Sequence, residues 1–490
     1  MIMTQDQAFG KAQQQLLDLI ALVRQATQDR QRLDQVERGL FSHLLQLGLS
    51  LLTAFVAAAG DGDVGDTTTT PEGTPCRRLP QPHERTYRSL FGALPVRRFV
   101  YGSREGQQIE HVPLDAVLGL PEGEFSYVLE DWAQRLCLKG AFAEAAQSLH
   151  DLLGLKPSVR SLEHMNRTVA EFTSSFADQQ PPPPAAEEGE LVVLTADGKG
   201  VPMRRPRSDG PRRARGEKAN QKQMAYVGAL YTIDRFVRTP EQILDEVQRR
   251  QQTVGRPRPC HKQVWAEMTC VVEGETCNGR ATLFDRLAEQ WARRDPHLHK
   301  VAVCLLDGER ALWEVRQSFW ADTIGILDLF HVLERLWLAA YCFHPEGSQA
   351  AAAFVSARLR MLLEGKVGYV IGGLRQMLTK HRLSAGKKKV LNRVIGYYEN
   401  NREQMHYDEY LAAGYPIGSG VAEGACRHLV KDRLEQTGMR WVLEGAQAML
   451  HLRATYLNGD WEAFYEHRIH TEQKRLYGEV ASTPLLDMAV

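Results

Sequence analysis

Leu191-Val192-Val193-Leu194-Thr195-Ala196-Asp197-Gly198, and again Val301-Ala302-Val303-Cys304-Leu305-Leu306-Asp307-Gly308, decide how this chain is read. Each is an uncharged six-residue run that closes on Asp-Gly. Apolar character on every residue, rather than on alternate ones, suits a strand buried on both faces, and the aspartate then arrives at the rim of a sheet. Asp-Gly is also a common hairpin turn, so either run alone reads equally well as a strand entering a turn. Two carboxylates at the ends of neighbouring strands would make a metal site. A third acid, Glu423, follows the turn-like Gly418-Ser419-Gly420 and opens a segment that reads as a helix through Glu435.

Outward from these runs the pattern alternates between strand and helix. Met224 to Ile233 reads as a hairpin partner of the first strand, Arg310 to Phe319 as a helix, and Thr323 to Leu327 as another strand. The last ends at Asp328 and enters a helix with His331, Leu333, Leu336 and Trp337. Residues 346–405 read as helix, rich in Ala, Leu, Lys and Arg, with Lys387-Lys388-Lys389 as a basic cluster. An all-helical insertion between the second Asp and the Glu is expected, offering DNA a surface. Between the first strand and its hairpin partner lies the densest basic run, including Arg204, Arg205, Arg207, Arg212 and Arg213. Such a run is a solvated loop or a phosphate contact.

Before residue 191 the chain is mainly helical. Residues 5–58 read as two amphipathic helices, and 60–75, rich in Gly, Asp, Thr and Pro, as a linker. Short β-like runs follow at Tyr87 to Phe91 and Val96 to Tyr101. Phe142 to Leu153 reads as a helix, Gly154-Leu155-Lys156-Pro157 as a turn, and Ser158 as the N-cap of a second helix. Val159, Leu162, Met165 and Val169 line one face of that second helix. Arg160, Asn166 and Arg167 lie off it, as in a helix-turn-helix whose second helix enters the major groove. An ordinary helical hairpin has the same pattern. Pro181 to Pro184 mark a second linker. The expected division is 1–59, linker 60–75, a DNA-binding region 76–178 with its helix-turn-helix at about 142–170, linker 179–190, core 191–345, helical insertion 346–410, and core again 411–490.

Composition narrows the classes. The 490 residues hold 60 Lys plus Arg and 60 Asp plus Glu, so nucleic-acid binding must come from local patches. No stretch reaches the roughly 18 consecutive apolar residues of a membrane span, and the start lacks a signal-peptide pattern. A cytoplasmic protein without a membrane is expected. Eight cysteines without a C-x-x-C pair argue against a zinc ribbon and against a disulfide framework.

Asp, Asp and a helix-borne Glu suit phosphodiester chemistry. Two divalent ions about 4 Å apart can clamp the attacking and departing oxygens of an in-line displacement. Mg²⁺ takes hard carboxylate oxygens and keeps several waters, so Asp197, Asp307 and Glu423 suffice as ligands. Glu423 also lies one turn before Arg427 and two before Lys431, so one helix face would offer a carboxylate to metal and cations to phosphate.

Thr195-Ala196-Asp197-Gly198-Lys199-Gly200, Leu306-Asp307-Gly308-Glu309-Arg310, Asp328-Leu329-Phe330-His331 and Tyr415-Pro416-Ile417-Gly418-Ser419-Gly420-Val421-Ala422-Glu423-Gly424 together resemble bacterial insertion-sequence transposases of the ISKra type, relatives of the Mutator-like DDE enzymes. The resemblance spans about Tyr87 to Gly478 and is most specific from Ala413 to Trp441, where Thr437-Gly438-Met439-Arg440-Trp441 also matches. It implies an RNase H-like core with an all-helical insertion, and cleavage and strand transfer of double-stranded DNA dependent on Mg²⁺ or Mn²⁺. It further implies Asp197, Asp307 and Glu423 as metal ligands for two ions, His331 as a catalytic contact, and a homodimer at paired DNA ends. The paired cysteines of a zinc module are missing here, which leaves the helix-turn-helix as the expected reader of DNA ends. A nuclease without strand transfer and a catalytically silent DNA-binding regulator are the alternatives. A glycosidase is disfavoured because the basic run has no purpose on neutral sugars.

Overall fold

The computed structural model describes residues 5–70, 73–102, 109–204, 222–248, 255–272, 274–418 and 420–478. The chain divides into two units, residues 1–172 with 461–490, and residues 173–460.

In the first unit α1 (Gln5–Gln28) and α2 (Leu33–Ala58) form a helical hairpin. Ala8, Ala12, Leu19 and Ala26 of α1 and Ser50 and Ala54 of α2 are buried, and these mostly small residues let two helix backbones approach closely. No 18 apolar residues are consecutive, yet α2 carries no charge from Gly39 onward and has the length and composition to cross a bilayer. Its inner face, Leu49, Leu52 and Val56, packs on Leu94 and Val96 of the hairpin β1 (His83–Ser89) and β2 (Gly92–Arg98). Part of the expected linker is ordered, since Thr67–Thr69 pairs antiparallel with Pro75–Arg78.

Three helices follow: α3 (Tyr127–Lys139), α4 (Phe142–Leu153) and α5 (Val159–Ala170). Gly154 ends α4 in the left-handed region at φ 69°, and the Ser158 hydroxyl accepts the Ser161 amide to start α5. Leu129, Cys137, Leu149, Leu162 and Met165 form their common core. The C-terminal helix Trp461–Tyr477 belongs to this unit rather than to the core, because Arg468 and Tyr465 pair with Glu130 of α3.

The second unit is mixed α/β around a five-stranded sheet. Its strands are β3 (Leu191–Pro202), β4 (Lys222–Ile233), β5 (Cys260–Met268), β6 (Val301–Leu306) and β7 (Ile324–Leu327), in the order β7-β6-β3-β4-β5. β3, β4 and β5 form an antiparallel meander, whereas β6 runs parallel to β3 and β7 parallel to β6. The apolar runs are explained by cover on both faces. Val192, Leu194, Cys304 and Leu306 face α6 (Gly279–Arg294) and α7 (Arg310–Phe319), where Phe284 stacks on Trp320 at 4.0 Å. The alternate residues Leu191, Val193, Val303 and Leu305 face α8 (Leu329–Tyr341) and three further helices, α9 (Gln349–Leu363), α10 (Val367–Lys380) and α11 (Ala385–Asn400). The helices between the second Asp and the Glu therefore share one core with the sheet.

Candidate active site

Asp197 lies inside a strand, not at its end. β3 continues to Pro202 because β4 pairs with it throughout, Asp197 opposite Val227 and Gly198 opposite Tyr226. This excludes a hairpin turn at Asp197-Gly198. β6, however, stops at Leu306, which pairs with Ala196. Asp197 is thus the first residue of β3 beyond the parallel pairing, and Asp307 follows the last residue of β6 in the same register. Two half-buried aspartates stand on adjacent parallel strands.

Each is oriented locally. Asp197 Oδ1 accepts the Gly198 amide at 2.6 Å, and the buried Cys426 thiol donates to the same carboxylate. Asp307 Oδ1 accepts the Glu309 amide at 2.8 Å. Burial raises the Asp307 carboxyl from its ordinary value; the Glu309 amide opposes this, while the Asp197 charge adds to it.

α8 and a short helix, α12 (Gly420–Ala425), bring the remaining groups. Asp328 is buried and caps α8, its Oδ1 accepting the Phe330 amide at 2.8 Å while its own amide donates to Leu306 O. Leu329 N donates to Ile417 O, which ties the Pro416-Ile417-Gly418 segment to the end of β7. His331, one turn into α8, is half-buried, and its charge acts on both Asp307 and Glu423. Glu423 on α12 is exposed; desolvation raises its carboxyl, the Asp328 charge adds, and His331 opposes.

The helix after Glu423 differs from the expected one. Residues Cys426–Lys431 form a π-helix, with i→i+5 bonding, so the four-residue spacing of Glu423, Arg427 and Lys431 no longer stacks them on one face. Arg427 and Lys431 are exposed, and Arg427 Nε lies 3.8 Å from Asp432 rather than beside Glu423. Arg204 is exposed, and its amide donates to Trp441 O at 2.6 Å, fixing the end of β3 to the Gly438-Met439-Arg440-Trp441 segment. Arg205, Arg207, Arg212 and Arg213 lie outside the described residues.

In the first unit, Arg160 on α5 is exposed and Arg167 half-buried. Asn166 is corrected: it is 1% exposed, and its amide donates to Gln134 Oε1 at 2.9 Å. A core hydrogen bond occupies the group expected on a base edge, and the outward polar face of α5 carries Arg160, His164 and Arg167 together with the acidic Glu163.

Two neighbours of the aspartates carry no sequence signal of their own. Cys426 follows Glu423 by three residues and meets Asp197 only because the helix turns over the sheet. Tyr397, at the far end of α11, lays its ring on Gly308, where a Cβ would overlap it. The Arg335 guanidinium lies over the same ring, 5.0 Å from its centroid.

A divalent cation fits this donor set in kind. The oxygens are hard, and among the described residues no Lys or Arg forms an ion pair with Asp197, Asp307 or Glu423. Among the described residues no group of three or more His, Cys, Asp or Glu stands close enough together to hold a metal ion, so Asp197, Asp307 and Glu423 are not assembled as a three-ligand set.

No family model matches the chain, and no curated protein matches it. Among solved structures the chain is similar to a Drosophila P element transposase strand transfer complex, at 9% identity over 73% of this chain and 82% of that one, with a TM-score of 0.23. A likeness at that score leaves fold family and function to be argued from the residues themselves.

Proposed function

We propose that this chain is a DDE transposase with an RNase H-like core, cutting DNA at element ends and joining the freed 3′-hydroxyl to a second DNA. The observation that carries the reading is the register of β3 and β6, which sets Asp197 and Asp307 side by side, with no Lys or Arg ion-paired to either among the described residues. The sheet order supports it: a three-stranded antiparallel meander extended by two parallel strands, with the acids on its first and fourth strands.

Asp197, Asp307 and Glu423 would hold Mg²⁺ or Mn²⁺, two ions in the complete site. Bound there, such ions supply charge neutralisation at the phosphate and activation of the attacking oxygen. The chain's own groups prepare the place. The Gly198 amide and Cys426 thiol fix the Asp197 carboxylate, and the Glu309 amide fixes that of Asp307. His331 offers a positive or hydrogen-bonding group between Asp307 and Glu423. Exposed Arg204, Arg427 and Lys431 suit the DNA backbone. Cleavage at two ends calls for two copies of the chain on double-stranded DNA.

The test uses labelled duplexes carrying the DNA that flanks this gene, with Mg²⁺. Wild type should give cleaved and joined products; Asp197→Asn and Asp307→Asn should each lose at least a thousandfold in cleavage while still binding duplex. Cleavage without joined product would assign a nuclease, and near-native cleavage by either variant would remove the carboxylates from the chemistry.

A further inference from the structure

α11 is unusual in where it carries charge. From Gly365 to Tyr398 the sequence has no Asp or Glu, in a molecule whose charges otherwise balance. Lys380 and Arg382 at the end of α10, and Lys387, Lys388, Lys389 and Arg393 on α11, are all exposed. None of the six forms an ion pair among the described residues; the ion pair in this helix pair joins Arg375 to Glu399. Three of the lysines fall within the first five residues of α11, whose start is capped by Ser384. That is the positive end of the helix dipole, where cations cost stability, so helix formation does not account for them.

The same helix leads to the aspartates. Lys389, Arg393 and Tyr397 follow one another at four-residue spacing, which keeps them on neighbouring turns of one side. Tyr397 packs on Gly308 beside Asp307. At 1.5 Å per residue, Lys389 and Lys387 lie about 12 to 15 Å along the axis from Tyr397. Duplex DNA rises about 3.4 Å per base pair, so this is roughly four base pairs.

We propose that the basic start of α11, continued by Arg393 toward Gly308, is a contact for the backbone of duplex DNA flanking the phosphate at Asp307. The inference rests on the transposase reading and adds a surface to it. The occupant is a polyanion read without sequence, because the patch presents flexible ammonium and guanidinium groups and, among the described residues, no exposed Phe, Tyr or Trp beside them. Duplex is favoured over other polyanions by its continuity with the carboxylate site.

The experiment compares the full-length chain with a Lys387→Gln, Lys388→Gln, Lys389→Gln, Arg393→Gln variant, using a fluorescent 30-base-pair duplex of random sequence, a length of about 100 Å at 3.4 Å per pair. At about 0.1 M salt the variant should bind at least tenfold more weakly. Its dependence of log affinity on log salt should be shallower by up to about 3.6, near 0.9 per lost phosphate contact. Replacing the three lysines by arginine should retain binding. The melting temperature of the Gln variant should equal or exceed that of the parent, since charge is removed from the positive end of a helix dipole. An unchanged salt slope in a variant that melts normally overturns the proposal and leaves the transposase reading standing. A parent chain that fails to bind duplex at all overturns both. Loss of binding to anionic phospholipid vesicles with duplex binding intact would make the patch a membrane contact and overturn the DNA assignment.

Discussion

Carboxylates are treated in two ways in this molecule. In the first unit Asp115, 5% exposed, receives Arg85 at 3.0 Å and Arg98 at 2.8 Å. Glu130 and Glu472 share Arg468 at 2.6 and 3.3 Å. Away from the candidate site, the second unit follows the same rule, with Glu188 held by both arms of Arg294 at 2.7 Å. Asp197 and Asp307 have backbone amides, a thiol and each other, but among the described residues no guanidinium pairs with either. A buried carboxylate without a cation is costly, because the low-dielectric interior does not replace its water. Where the fold needs only a folded state, it supplies an arginine. Where the charge is left open, the structure tolerates mutual repulsion, which an incoming cation would relieve.

The largest expected effect separates the two kinds of acid by stability. Asp115→Asn leaves two largely buried guanidiniums without a carboxylate and should lower unfolding free energy by about 3 to 5 kcal/mol. Asp307→Asn removes a charge that burial and Asp197 already oppose, and should leave stability unchanged or raised in denaturant titrations without metal. Comparable destabilisation by both variants would break the distinction and return Asp307 to a structural role.

A somewhat smaller effect sharpens the same distinction by ligand. If the open carboxylates bind Mg²⁺ in the folded state only, the ion should stabilise the chain by about 2.7 kcal/mol at a hundredfold excess over its dissociation constant. The double variant Asp197→Asn, Asp307→Asn should show no such gain, whereas Asp115→Asn should retain it. Thermal shift with and without Mg²⁺ reads this directly, and a gain that survives in the double variant would place the ion elsewhere.

Local sequence carried the strands and little of what surrounds the acids. The runs at 191–196 and 301–306 are legible because helices cover both faces of the sheet and remove the alternation that a half-exposed strand would show. Asp197 looked like a strand end because the sequence of β3 does not report the length of its partner; β4 carries the pairing five residues further, to Pro202. Asn166 looked exposed by polarity, but its partner Gln134 is 32 positions away. The π-helix after Ala425 has the composition of an ordinary helix, and Tyr397 reaches Gly308 only through the folding of α8 to α11 back onto the sheet. The membership of the C-terminal helix in the first unit likewise rests on Arg468 and Tyr465 meeting Glu130, far away in the chain. That no arginine among the described residues pairs with Asp197 or Asp307 is not a local property at all, since the chain carries as many basic residues as acidic ones.

The smallest expected effect probes an arginine-clamped acid by pH. Burial pushes Glu130 up to about 7, with Arg468 opposing and the Glu472 charge adding. Its ordinary value is near 4.5, so between the two values the folded state holds a proton that the unfolded chain has released. The stabilisation from that proton is complete below the unfolded value and is lost as pH rises through about 7. Across pH 6 to 8 the loss amounts to about 1 kcal/mol. Glu130→Gln cannot titrate, so its stability should fall less than that of the parent over this range in thermal melts at matched salt. An identical pH dependence in both proteins would mean that Arg468 keeps Glu130 ionised throughout, and the clamp would then be a full ion pair at every pH where the fold persists.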